Sequence, residues 1–159
     1  MIKIKIITLG KLKEDYLRGA FSEYEKRLKR YCNLEIVELN PFSMPDSPSN
    51  AQIENALLSE AKLIESKIPD NYFLTALCVE GKELSSEMFA KKIKEKCNMG
   101  QNLCFVIGSS FGLSDKIKQK ADLRLSVSKM TFPHQLFRII LLEQIYRAFK
   151  INEGSTYHK

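Results

Sequence analysis

Leu125–Lys150, LSVSKMTFPHQLFRIILLEQIYRAFK, is the stretch whose reading decides the fold. A strand-like piece leads into a polar loop carrying Ser126, Ser128 and Lys129, and the loop enters a long helix through Thr131-Phe132-Pro133-His134. Proline suits the first position of a helix, where its missing N–H costs no hydrogen bond. The free amides of the first turn then face whatever lies in front of the loop, and such a helix start readily receives polar or anionic groups. The helix is apolar almost all round. Leu136, Phe137, Ile139, Ile140, Leu141, Leu142, Ile145, Tyr146 and Phe149 spread around a 3.6-residue wheel and form no single stripe. In a small protein this predicts a core contact on one side and a second subunit on the other. The polar exceptions, Gln135, Arg138, Glu143, Gln144, Arg147 and Lys150, need partners or a wet cavity.

Upstream, strand-like and helix-like patterns alternate. Residues 2–9 read as a strand ended by Gly10, and residues 13–31 as a helix with one stripe of Tyr16, Leu17, Ala20, Phe21, Tyr24, Leu28 and Tyr31. Residues 34–39 form a second strand. The stretch 40–50, with Pro41, Pro45 and Pro48, is a loop, and 51–66 returns to helical spacing. The unbroken apolar run Tyr72–Val79, closed by Glu80-Gly81-Lys82, fits a strand covered on both faces, as in a parallel sheet. A helix capped by Ser85 or Ser86 follows, then a buried strand at 103–107, a short helix at 114–119 and a last strand at 122–127. The alternation predicts one α/β domain over residues 1–159, with a mostly parallel central sheet flanked by helices. Ligands of such sheets sit beyond the carboxyl ends of the strands. That singles out the exits Leu77–Gly81, Ile107–Gly112 and Ser126–Phe132, all rich in Gly, Ser or Thr.

The 159 residues are 44% apolar and carry a formal charge of +6, enough for a packed core and basic enough to suggest a polyanionic partner. The opening MIKIKIITLG lacks the apolar core and cleavage site of a secretory leader, and no run approaches the roughly 18 apolar residues of a membrane span. A cytoplasmic protein without a membrane segment is the expectation. Cys32, Cys78, Cys97 and Cys104 form no C-x-x-C pair and read as reduced thiols. With only His134 and His158 besides, neither at ligand spacing from the thiols, no metal site is expected. Gly108-Ser-Ser-Phe-Gly112 is neither a dinucleotide fingerprint nor a Walker A loop, and no G-x-S-x-G elbow is present. Residue chemistry alone therefore reaches only a small ligand held by backbone groups at three adjacent loops.

The motifs carry more. The block SKMTFPHQ, the following R-x-x-L-x-E-Q-I-Y-R-A-F-K-I, the terminal Y-H-K, the opening K-L-K-E-x-Y with E-Y-x-K-R-L, and F-V-I-G-S-S-x-G-L together closely resemble the RlmH family, from near Ile2 to Lys159. That family belongs to the SPOUT superfamily of homodimeric α/β proteins with a C-terminal trefoil knot. It methylates N3 of a pseudouridine in 23S ribosomal RNA with S-adenosyl-L-methionine, acting on the large subunit or the assembled ribosome. The resemblance implies that Leu77 flanks the adenosine, that Gly108 approaches the cofactor closely, and that Val127, Ser128, Lys129, Met130, Thr131 and Phe132 wrap it. Ser109 stands where many relatives have a second glycine. Three residues are implied as catalytic: His158 as proton acceptor, Arg147 as anion stabiliser and Tyr157 as the group that positions the base. His134 is then structural. The sulfonium methyl is already electrophilic, so no metal is implied. Lys11, Lys13, Arg18, Arg27, Arg30 and Lys129 are the candidate RNA contacts, although a charged helix face is more commonly just solvated. The competing reading is a non-catalytic basic RNA- or ribosome-binding module in which the same loops are only turns.

Overall fold

The computed structural model describes residues 1–158; Lys159, the last residue of the tail motif, lies outside the described residues. The strands are β1 (Ile2–Leu9), β2 (Cys32–Leu39), β3 (Phe73–Glu83), β4 (Leu103–Ile107) and β5 (Leu123–Ser126). The helices are α1 (Asp15–Leu28), α2 (Asn50–Glu65), α3 (Ser86–Asn98), α4 (Asp115–Lys120) and α5 (His134–Asn152), and Thr156–His158 closes the tail as a 3-10 turn. All strand pairings are parallel, in the order β2-β1-β4-β3-β5.

Period-two alternation sorts the strand side chains onto two faces. Ile4, Ile6, Leu77 and Phe105 pack against Leu28, Phe89, Ile93, Leu141, Leu142 and Ile145, which places α1, α3 and α5 on one side. Ile7, Leu9, Leu74, Ala76, Cys104 and Val106 pack against Ala61, Ile64, Leu113 and Ile117, which places α2 and α4 on the other. Every residue of β4 is buried, as its unbroken apolar run requires of a strand covered on both faces. Each such aliphatic or aromatic side chain contributes about 1.5–3 kcal/mol on burial.

Local chemistry sets the helix starts. Ser49 and Gln52 form a reciprocal capping box at α2, Ser85 accepts from Met88 N at α3, and Ser114 accepts from Ile117 N at α4. Pro133 stands one position earlier than expected. Its φ of −53° is compatible with a helix, but its ψ of 132° is extended, so it caps α5 and its carbonyl accepts from Phe137 N.

The strand β3 outruns its expected end. Leu125 on β5 is in register with both Leu77 and Lys82, so residues 78–81 bow out of the ladder before pairing resumes. Gly81 makes this feasible: a Cβ there would lie 2.7 Å from the Leu125 carbonyl carbon and 2.8 Å from that of Arg124.

The helix α5 lies against the sheet between α1 and α3. Tyr146 and Phe149 pack onto Tyr31 of the segment after α1, the latter stacked at 5.1 Å between ring centroids. Much of its all-round apolar character is thus used within the chain itself; Leu136 stays exposed, and Phe137 and Ile140 are only partly covered. Arg138 is its buried polar member. It donates to Glu38 Oε2 (2.9 Å) on β2 and to the carbonyls of Leu9 (2.9 Å) and Gly10 (2.7 Å), tying the start of α5 to the end of β1.

Candidate active site

The three strand exits meet. The bowed segment of β3, the loop after β4 and the loop after β5 line one open cleft of about 730 Å³, bordered on α5 by His134 and Phe137. This is the size range of small-molecule sites.

Each wall has a local cause. The loop after β4 folds back on itself, with Ser109 bridged to Gly112 and the Gly112 amide donating to the Ser109 carbonyl at 2.9 Å. Gly112 takes φ +84°, and a Cβ on Gly108 would sit 2.2 Å from the Gly112 oxygen, so neither position accepts a side chain without rebuilding. After β5, Ser126 Oγ donates to the Ser128 carbonyl (2.9 Å) and Ser128 Oγ accepts from Met130 N (3.0 Å). The two hydroxyls therefore shape the loop, and its exposed apolar side chains Val127, Met130 and Phe132 stand at the cleft. The β3 segment contributes Cys78 and Glu80. Lys118 pairs with Glu80 and is the main cause of that carboxyl's lowered pKa, with the Glu80 backbone amide adding; burial pushes the Cys78 thiol up, and the Glu80 charge adds to this.

Leu77, Gly108, Val127, Ser128, Met130, Thr131 and Phe132, expected around a cofactor, all line this cleft. Lys129 lies in the same loop but is exposed and outside the lining. His134 does line it, and burial, followed by the charges of Arg138 and Lys13, holds its imidazole below its ordinary pKa.

Arg147, Tyr157 and His158 also come together, but elsewhere. Arg147 follows His134 by 13 residues along α5, which at about 1.5 Å per residue is roughly 20 Å. There the 3-10 turn folds the tail back onto α5. Arg147 NH1 lies 3.4 Å from His158 Nδ1, its guanidinium covers the Tyr157 ring at 5.0 Å, and Tyr157 packs edge-on to Tyr146. A guanidinium can only donate, so in the neutral ring Nδ1 accepts and the proton resides on Nε2. That nitrogen faces Glu87 Oε1 at 2.6 Å. Burial, a hydrogen bond with Tyr24 and the charges of Tyr24 and Glu143 raise the Tyr157 phenol to about 12, so it is protonated at neutral pH.

Two carboxylates organise this cluster: Glu143, one of the polar exceptions of α5, and Glu87 on α3. Glu143 accepts from Arg147 Nε (3.0 Å) and NH2 (2.7 Å) and from Tyr157 OH (3.4 Å). Its spacing four residues before Arg147 on a helix was a usable signal. Glu87 is 71 positions from His158 and carries no such signal.

The RNA candidates divide. Arg18 donates to the Leu12 and Lys13 carbonyls and pairs with Asp15. Arg27 pairs with Glu23 and lies over the Tyr24 and Tyr146 rings. Lys11, Lys13, Arg30 and Lys129 are exposed. Among the described residues no group of three His, Cys, Asp or Glu could hold a metal ion, and no helix is long and apolar enough to cross a membrane.

A family model described as "Predicted SPOUT methyltransferase" matches residues 2–158. The chain is 50% identical over 159 residues to Ribosomal RNA large subunit methyltransferase H 1 of Clostridium perfringens, covering 99% of this chain and 100% of that one. It is 48% identical, with the same coverage, to Ribosomal RNA large subunit methyltransferase H of Clostridioides difficile. A crystal structure of a methylase family protein from Neisseria gonorrhoeae shares the fold at 12% identity and a TM-score of 0.50, covering 91% of this chain and 82% of the other. With three strand-exit loops enclosing one cleft and a family match over essentially its whole length, the chain belongs to the SPOUT methyltransferase family.

Proposed function

We propose that this chain transfers a methyl group from S-adenosylmethionine to N3 of a pseudouridine in 23S ribosomal RNA. It does so in the cytoplasm as a homodimer, on the large subunit or the assembled ribosome, and its C-terminal loops follow the threaded trefoil path of its superfamily. The observation that carries the reading is the cleft: seven residues named from sequence as donor contacts line one cavity built by three separate strand exits.

The cleft fits the donor chemically. Leu77, Val127 and Phe132 offer apolar surface to a purine, and the hydroxyls of Ser128 and Thr131 with the close backbone at Gly108 offer hydrogen bonds to ribose and amino-acid groups. When bound, S-adenosylmethionine supplies an electrophilic methyl on a cationic sulfur. The protein has the remaining work. The attacking imide nitrogen must lose its proton, and the ring anion so formed must be held in line. His158 takes that proton on Nδ1, whose one hydrogen-bond partner among the described residues is Arg147, at 3.4 Å. Arg147, oriented by Glu143, stabilises the anion, and Tyr157 holds the base in place between them. Because this cluster and the cleft lie at opposite ends of α5, a complete site uses the tail of one protomer and the cleft of its mate. Exposed Lys11, Lys13, Arg30 and Lys129 contact RNA phosphates, and Arg18 and Arg27 contribute once released from their own carboxylates.

Mass mapping of ribosomal RNA from a strain lacking this gene, complemented by the chain, tests the reading. Complementation restores one methyl group on one pseudouridine, and His158→Ala or Arg147→Ala does not. An unmethylated map with the intact chain would overturn the reaction and leave the non-catalytic RNA-binding module. Unchanged methylation by His158→Ala at saturating donor would remove that residue from the mechanism.

A further inference from the structure

Glu60 is only 3% exposed, yet none of the ion pairs among the described residues includes it. Its two oxygens are used separately: Oε2 accepts from the Phe42 amide at 3.0 Å and Oε1 from Ser109 Oγ at 3.2 Å. Behind it lies a second, smaller cavity of about 190 Å³, with Met44, Ile53 and Leu57 among its walls. Ser109, Ser110 and Phe111 line both cavities, so this loop is the partition between Glu60 and the large cleft. Burying a carboxylate without a cation is costly, and here the Phe42 amide and the Ser109 hydroxyl offset part of that cost. Glu80, the carboxylate on the cleft itself, is already paired with Lys118. Glu60 thus places a carboxylate behind the cleft that no cation among the described residues pairs with. Through one thin loop in a low-dielectric surrounding, its field reaches the cleft.

We propose that Glu60 is a positioning residue of the donor cleft: it fixes the partition loop through Ser109, and its uncompensated charge favours the cationic methyl donor over the neutral thioether product. The inference rests on the cleft being the donor site. It explains how spent product gives way to fresh donor at a site whose other contacts the two ligands share.

Calorimetric titration of the full chain with S-adenosylmethionine and with S-adenosylhomocysteine tests it. Glu60→Gln keeps both contacts, with the amide oxygen towards Phe42 N and the amide nitrogen donating to Ser109 Oγ, and removes only the charge. It weakens the cationic ligand roughly tenfold and the neutral one less than about twofold. Ser109→Ala keeps the charge and loosens the loop, so both ligands weaken alike. Glu60→Asp retains the charge and therefore the wild-type preference, so loss of the preference in this variant overturns the proposal even if the glutamine variant does not fold. Equal weakening of both ligands by Glu60→Gln, no effect on either, or loss of the preference in Glu60→Asp overturns the proposal. If the unaltered chain binds neither ligand, the donor-site reading itself fails, and that result is distinct from the others.

Discussion

Arg138 shows how one side chain ties the fold to the site. It is 2% exposed and joins three segments: Glu38 on β2, the carbonyls at the end of β1, and the first turn of α5 that borders the cleft. Burial lowers its pKa and the solvent-facing Glu38 carboxylate opposes this, the expected balance for a buried guanidinium paired at the surface. Truncation to Ala leaves the Leu9 and Gly10 carbonyls without their donor, while Glu38, 37% exposed, is taken up by water, so Arg138→Ala should lose about 1–3 kcal/mol in urea unfolding. Arg138→Lys should recover only part of it, because a compact ammonium cannot span all three acceptors. An unchanged midpoint for Arg138→Ala would refute this account. Glu87 makes a prediction of different form. The hydrogen bond from His158, then its own backbone amide and Ser85, lower its carboxyl from 4.5 to about 2. A folded-state value below the unfolded one means a contribution that is full above pH 4.5 and lost as the pH falls through about 2. Glu87→Gln should therefore be slightly less stable than the parent near neutrality, the effect being small because the pair is solvent-exposed. The gap should close between pH 4.5 and about 2; a gap independent of pH in stepped denaturation experiments would show that Glu87 does not hold the tail electrostatically.

At the scale of elements, the chain announces what depends on near neighbours. The sheet was readable because β4 and most of β3 are unbroken apolar runs, and the starts of α3 and α4 because Ser85 and Ser114 are capping residues; Ser49, which caps α2, went unread inside a proline-rich loop. The continuation of β3 to Glu83 was hidden, because Glu80-Gly81-Lys82 has the composition of a turn and pairs only by virtue of β5 lying alongside. The same applies to Pro133, whose ring suits either the cap or the first helical position; its extended ψ of 132° makes it the cap. The glycines separate the two situations. Gly19 sits in the middle of α1, where an added methyl group would meet nothing within 4 Å, whereas Gly81 would press a Cβ into the backbone of Arg124 and Leu125. Gly19→Ala should gain about 0.5–1 kcal/mol by helix propensity. Gly81→Ala should lose about 1–3 kcal/mol by overpacking. It should also weaken donor binding, because the displaced strand leads directly into the Ser126–Phe132 wall. Equal effects of the two substitutions on the unfolding midpoint would mean that the contact between Gly81 and β5 imposes no constraint.

For the whole molecule, the cleft was legible in the sequence, and the distant residues packed behind it and beside the tail were not. Gly, Ser and Thr directly after buried strands mark ligand loops in a parallel sheet, and those loops do converge. Nothing local says that Glu60, midway along α2, lies behind them, or that Glu87 on α3 meets the tail. These are juxtapositions made by the order β2-β1-β4-β3-β5. The separation of the cleft from Arg147, Tyr157 and His158 by roughly 20 Å of α5 is likewise a property of the assembled chain. If the mate supplies the missing half, a two-fold pairing sets the cleft of each protomer against the tail of the other. Two inactive chains should then complement. Val127→Arg obstructs the cleft from a position 37% exposed, where the fold tolerates it, and leaves the tail intact. His158→Ala does the reverse. After subunit exchange in an equimolar mixture about half the dimers are mixed, and each mixed dimer has one complete site, so methyl transfer should return to roughly a quarter of the unmodified level. If each protomer builds its own site, every site in the mixture has one defect and no activity returns. Native mass spectrometry of the same mixture separates mixed from unmixed dimers by mass and shows that exchange occurred, so silence in the assay would then place the whole site within one chain and require the tail to travel the length of α5.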